Sequence, residues 1–221
     1  MIALLSSSFV SGSIKLEFTN LFIYSFLKAE EKNIIKFNNK KIFSLKNLIF
    51  IPCYNDIKNC EKILDEIYKL PNKNFDILII NDGSYENLKF KSNLLNIIII
   101  NLNNNFGVGL CMKIAINYAI QNNYKKFCRI DSDGEHDPYY IEKIICGLDN
   151  KDFIIGERCI SQKENILKIF SKKILNVIIN KIFKLKFTDY NCGMMGLNST
   201  SMRIISKSNL INYPEPQIII K

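Results

Sequence analysis

From Asn47 onward, short apolar runs alternate with segments whose apolar residues recur at helical spacing. Leu48–Ile51, Ile77–Ile80, Ile97–Ile100, Phe127–Ile130 and Phe153–Ile155 are continuous rather than alternating, and rich in isoleucine. A strand that alternates apolar and polar residues has one dry face. A continuous run needs cover on both, as in a parallel sheet between helical layers. Between these runs, Cys60, Ile63, Leu64, Ile67 and Leu70 share one helical stripe that Pro71 stops, and Leu110–Ile120 and Tyr140–Leu148 read the same way. The alternation predicts an α/β fold with an open, mostly parallel central sheet and helices on both faces.

Residues 1–46 break this pattern. Leu16–Ala29 has the spacing of one helix, whereas Glu30–Lys46 is polar, lysine-rich and irregular. The expected organisation is an N-terminal extension of unassigned role over 1–46 and one domain over 47–221. The apolar start lacks the basic lead of a secretory signal. No run is long enough to span a bilayer.

Composition narrows the partner. The formal charge of +9 favours something anionic: a phosphorylated ligand, an acidic membrane surface or nucleic acid. Lys/Arg runs and interleaved aromatics are both missing, so nucleic acid is not expected. The seven cysteines are scattered without a CxxC pair, which predicts buried, reduced thiols and a cytoplasmic setting. The only histidine, His136, has no cysteine pair at zinc-ligand spacing.

Open α/β sheets bind ligands at the carboxyl ends of their strands. Five polar or glycine-rich clusters fall there: Pro52-Cys53-Tyr54-Asn55-Asp56, Asn81-Asp82-Gly83-Ser84, Asn103 to Gly109, Asp131-Ser132-Asp133-Gly134-Glu135 and Gly156-Glu157-Arg158. Asp131 and Asp133 are two carboxylates at i and i+2, a pair that needs a counter-charge to stay ionised together. Mg²⁺ or Mn²⁺ would supply one, with Glu135 as a third ligand. The same residues also make good turn chemistry, as does Asn81-Asp82-Gly83-Ser84. Asn103–Gly109 offers backbone amides and a helix start to a nucleotide, though Gly107-x-Gly109 lacks the third glycine of a dinucleotide fingerprint. Arg158 has the fork that pairs with phosphate.

In order and spacing, these motifs resemble family 2 glycosyltransferases. The strongest likeness is to the polyprenyl-phosphate sugar transferases, such as dolichyl-phosphate mannose synthase. Ile51 to Asp56, Asn81 to Ser84, Asn105 to Gly109, Asp131 to Pro138, Gly156 to Arg158 and Thr188 to Gly193 carry the resemblance, which runs from Leu48 to Gln217. It implies a Rossmann-like nucleotide-diphospho-sugar transferase fold and inverting transfer from a UDP- or GDP-sugar to a lipid-phosphate or glycan acceptor. Pro52, Tyr54, Asp56, Asp82, Gly107 and Asp131 would bind the nucleotide. Asp131, Asp133 and Glu135 would hold Mg²⁺ or Mn²⁺, while Arg158 balances phosphate charge and Asp189 serves as base for a hydroxyl acceptor.

Three positions depart from that pattern. Glu135 stands where relatives usually have Gln, Gly193-Met194-Met195 replaces Gly-Phe-Arg, and the chain ends shortly after Gln217. Asn165–Lys186 mixes apolar residues with Lys168, Lys172, Lys173, Lys181 and Lys184, as a basic amphipathic helix does on anionic lipid or with a solvated lysine face. The expected location is therefore cytoplasmic with peripheral membrane contact. Two other readings compete. One is a haloacid dehalogenase-type phosphohydrolase, with Asp131 as nucleophile and Asp133 as acid/base; the other is a non-catalytic nucleotide-sugar-binding remnant.

Overall fold

The apolar runs become strands and the periodic segments become helices. A computed structural model describes residues 8–10, 13–18, 47–86, 88, 96–156, 177, 181 and 192–207. In chain order the elements are β1 (Ser8–Val10), β2 (Ser13–Phe18), β3 (Asn47–Cys53), α1 (Ile57–Lys69), β4 (Asp76–Asn81), β5 (Ile97–Leu102), α2 (Val108–Gln121), β6 (Lys126–Arg129), α3 (Tyr140–Gly147), β7 (Phe153–Ile155), β8 (Met195–Asn198) and α4 (Ser199–Ser206). One eight-stranded sheet has the order β1-β2-β5-β4-β3-β6-β8-β7. Pairing is parallel from β2 through β5, β4 and β3 to β6, and antiparallel at β1–β2, β6–β8 and β8–β7.

Successive side chains of the central strands point to opposite faces, and both faces are dry. Leu48 and Phe50 of β3 pack with Leu78, Ile80, Met112, Ala115 and Met202, in the layer of α2 and α4. Ile49 and Ile51 pack with Ile77, Ile79, Ile63, Leu64 and Ile67, in the layer of α1 and α3. Full burial of each such aliphatic side chain contributes about 1.5–3 kcal/mol, which is why the runs are continuous. Helix ends follow local chemistry. Pro71 confines Leu70 to the extended region (ψ 138), closing α1. Asn198 starts α4 by accepting from the amides of Thr200 and Ser201 at 3.0 Å each.

One expectation needs correction. Leu16–Phe18 is strand rather than the start of a helix, pairing in parallel with Ile100–Leu102. Ser13–Phe18 in fact alternates strictly, with Ile14, Leu16 and Phe18 between polar residues, a two-residue period that the helical reading passed over. The remainder of Leu16–Ala29 lies outside the described residues. The place of β7 in the sheet was not foreseen: it does not join β6 directly. The four-residue β8 inserts between them antiparallel to both, too short and too glycine-interrupted to announce itself. Since β7 reverses β8, it still points the same way as β6, and Gly156 ends on the same rim. Cysteines 53, 60, 111, 128 and 192 are buried free thiols, whereas Cys146 is exposed.

Candidate active site

A cavity of about 480 Å³ opens at the carboxyl end of the parallel strands, within the size range of small-ligand sites. Pro52 and Cys53 of β3, followed by Tyr54 and Asp56, form one wall; Asp82 follows β4; Asn105, Gly107, Val108 and Cys111 come from the start of α2. Arg129, Asp131, Ser132 and Asp133 enter from β6 and its turn. Seven residues singled out in the sequence thus share one cavity: Pro52, Tyr54, Asp56, Asp82, Gly107, Asp131 and Asp133. Tyr54 is 49% exposed, leaving its ring accessible.

Asp82 organises the floor. Its Oδ1 accepts from the Phe106 amide at 2.8 Å and its Oδ2 from the Gly107 amide at 2.9 Å. The amides that the sequence offered to a nucleotide at Phe106 and Gly107 are therefore engaged by a side chain of the protein itself. Burial raises the Asp82 carboxyl above its ordinary range, and these two amides with the Cys111 thiol oppose that shift. Gly83 makes the clamp possible. At φ +74 it sits in the left-handed region, and a Cβ would collide with the backbone of Asn104 and Asn105. A second tie joins β3 to β4, where Asn55 (φ 53) donates its amide to Ser84 Oγ at 2.8 Å and accepts from the Tyr85 amide at 3.1 Å.

Asp131 is held from two sides. Arg129 Nε donates to its Oδ1 at 2.8 Å and Nη2 to its Oδ2 at 3.0 Å. On the other side lies Gly193, where a Cβ would collide with the same carboxylate. Contrary to the expectation from the sequence, Asp131 therefore finds its counter-charge in Arg129 and does not depend on a metal for it. The residues sequence reasoning missed are Arg129, Cys111 and Gly193. Arg129 left a trace: it is a lone charge in an apolar run, two positions before Asp131 and so on the same side of the strand.

Asp133 is exposed at the cavity mouth, its Oδ1 accepting from the Glu135 amide at 2.9 Å. Glu135 is exposed and does not line the cavity. Among the described residues, no three His, Cys, Asp or Glu side chains converge as a ready-made metal cluster. Asp131, Asp133 and Glu135 are therefore not preassembled as a three-ligand set. Behind the turn, His136 Nε2 approaches Cys192 Sγ at 3.8 Å. Arg158 and Asp189 lie outside the described residues. So does Asn165–Lys186 apart from Val177 and Lys181, which are both exposed. Among the described residues no helix is long and apolar enough to cross a membrane.

The model of glycosyl transferase family 2 matches residues 48–213. The chain is 26% identical over 183 residues to a UDP-N-acetylglucosamine–dolichyl-phosphate N-acetylglucosaminyltransferase of Methanococcus voltae, covering 72% of each protein. It is 29% identical over 148 residues to an uncharacterised glycosyltransferase of Synechocystis sp., covering 62% of this chain and 45% of that one. Among solved structures, glucosyl-3-phosphoglycerate synthase from Mycobacterium tuberculosis, in complex with Mn²⁺, UDP-glucose and phosphoglyceric acid, is similar with a TM-score of 0.59. That match is 11% identical and covers 83% of this chain and 69% of the other, a likeness of fold.

Proposed function

The chain belongs to glycosyl transferase family 2, and from that premise we propose that its cavity takes a nucleotide sugar with Mg²⁺ or Mn²⁺. The sugar passes with inversion to a polyprenyl-phosphate or glycan acceptor. One observation carries the reading: the cavity lies at the carboxyl end of the parallel strands and is lined by four carboxyl groups, Asp56, Asp82, Asp131 and Asp133, against one guanidinium, Arg129. A dianionic diphosphate entering such a lining is repelled unless a cation comes with it.

The donor set fits that cation. Asp133 offers a hard carboxylate oxygen at the mouth, and Mg²⁺-type sites commonly use one or two carboxylates, with substrate phosphates and water completing the shell. Asp133 would be the first ligand on this reading and Asp131 the second, with Glu135 close by on the same exposed turn. A cation held there offsets the negative charge that grows on the leaving diphosphate. Around it the protein positions the donor. Tyr54 lays its half-exposed ring beside the base, Pro52 and Asp56 border the nucleoside, and Asp82 keeps the Phe106–Gly107 floor rigid. Arg158 balances phosphate charge. An acceptor phosphate is already anionic and needs no base, whereas a sugar hydroxyl gives its proton to Asp189.

The mutual similarity to a dolichyl-phosphate transferase supports a lipid-phosphate acceptor, and the formal charge of +9 supports peripheral contact with anionic lipid on the cytoplasmic face. Nothing in the cavity favours the phosphohydrolase alternative, whose nucleophile Asp131 is immobilised by Arg129. The test is a thermal-shift panel of UDP, GDP and their sugars with and without Mn²⁺. Metal-dependent stabilisation by one nucleotide is the expected result. A folded sample that shifts with none of them refutes the donor assignment.

A further inference from the structure

Arg129 is an odd residue for its place. It ends β6 opposite Phe50 on one side and Met195 on the other, in the middle of the sheet. Phe127, on the same side of β6, belongs to the apolar core with both. The Arg129 side chain is 3% exposed, whereas Asp131 keeps 26%. A buried ion pair stabilises no better than well-packed apolar residues of the same volume, so packing alone does not call for an arginine here. The fork matters instead. Nε donates to Oδ1 at 2.8 Å, and Nη2 lies 2.7 Å from Oδ1 and 3.0 Å from Oδ2, so the guanidinium spans both oxygens and restrains the plane of the carboxylate as well as matching its charge. Gly193, by lacking a Cβ, admits the carboxylate in that plane.

Resting on the nucleotide-sugar reading above, we infer that Arg129 is a positioning residue of the donor site. It acts through Asp131, presenting that carboxylate to the nucleotide in one fixed, charge-balanced orientation. Asp131 then faces the cavity as a rigid carboxylate with its charge already matched, beside the exposed Asp133, which carries the larger share of a cation's counter-charge. An arginine that gripped the diphosphate itself would also line this cavity, and the two roles differ in one measurable way. A residue acting through Asp131 has nothing left to do once Asp131 is changed.

The experiment is calorimetric titration with UDP and with GDP, in Mn²⁺, of the unaltered chain, Arg129→Lys, Arg129→Met, Asp131→Asn and the double variant Arg129→Met/Asp131→Asn, with a melting curve for each. Arg129→Met is expected to weaken nucleotide binding about 10- to 100-fold, the range found when a supporting partner is removed behind a ligand-binding group. Asp131→Asn should act comparably, and the double variant should bind no more weakly than the worse single one. Arg129→Lys, with charge but no fork, should recover part of the loss. Should Arg129→Met not fold, the double variant, which leaves no unpaired carboxylate, and Arg129→Lys carry the comparison. Additive losses would overturn the inference by showing that Arg129 contacts the nucleotide directly. Lower melting temperatures with unchanged affinity would overturn it by reducing Arg129 to a structural role. If the unaltered chain binds neither nucleotide, the donor reading falls and takes the inference with it; if it binds and Arg129→Met binds equally well, only the inference falls.

Discussion

Replacing Gly193 by alanine adds one methyl group at a place with no room for it. The new Cβ would meet Oδ2 and Cγ of Asp131, and even the Asp131 Cβ lies only 3.1 Å away. Aspartate is too short to bend aside at its tip, so the whole carboxylate must rotate off Arg129. Removing one partner of a buried pair costs about 3–5 kcal/mol. Here the partner is displaced rather than removed and is partly exposed, so about 2–3 kcal/mol is the better expectation after discounting for solvent. For a chain of this size that lowers Tm by roughly 4–12 °C. Thermal unfolding measured beside Gly134→Ala supplies the control. Gly134 has a φ of +77 and open space around it, so its alanine variant bears backbone strain of about 1–2 kcal/mol and leaves Asp131 alone. Nucleotide binding should fall in Gly193→Ala and persist in Gly134→Ala. A Gly193→Ala protein with unchanged Tm and unchanged binding would refute the account of how Asp131 is held.

Asp133→Asn should abolish transfer yet leave Tm within about 1 °C, because an exposed surface carboxylate contributes little to folding; full activity in an assay with Mn²⁺ would remove Asp133 from the site. Asp82→Asn leaves one acceptor oxygen for two amides, so one amide loses its partner at about 1–3 kcal/mol, offset in part because a buried charge disappears; urea midpoints and UDP titration together should show weaker binding than the stability change explains. Asp76 is fully buried, and burial raises its carboxyl above the ordinary value of 3.8, opposed by the hydrogen bond from Tyr124. Its charge therefore penalises the fold in full above the folded-state pKa, and the penalty fades as pH falls from there towards 3.8. Asp76→Asn, which still accepts from Tyr124, should melt higher than the unaltered chain at pH 8, with the gap narrowing in acid; a pH-independent gap would contradict the assignment.

The sheet was legible because its chemistry is local and repeated. Ile77–Ile80 and Ile97–Ile100 could be nothing else once both faces had to be dry, and Pro71 ended α1 where expected. The cavity's acidic residues were legible for a related reason: a parallel sheet sends the ends of successive strands to one rim, so clusters far apart in sequence converge. What stayed hidden depends on contacts across long separations. No pattern near Gly193 says that its missing Cβ makes room for Asp131, and Asp82 read as a turn or ligand residue because its amide partners lie 24 and 25 positions away. Arg129 was obscured by the apolar run around it, and β8 by its brevity.

The antiparallel strand β8 has a consequence for how this protein can change. Gly156 donates its amide to the Met194 carbonyl at 2.8 Å, and a Cβ added there would lie 3.1 Å from Cys192 Sγ. The end of β7 and the start of β8 thus meet beside Asp131. Met195 is paired with Arg129 and Met194 is bonded to Gly156, so a shift at the start of β8 is passed to both neighbouring strand ends and to the carboxylate they enclose. Substitutions at these positions are therefore expected to be tolerated in compensating pairs rather than singly.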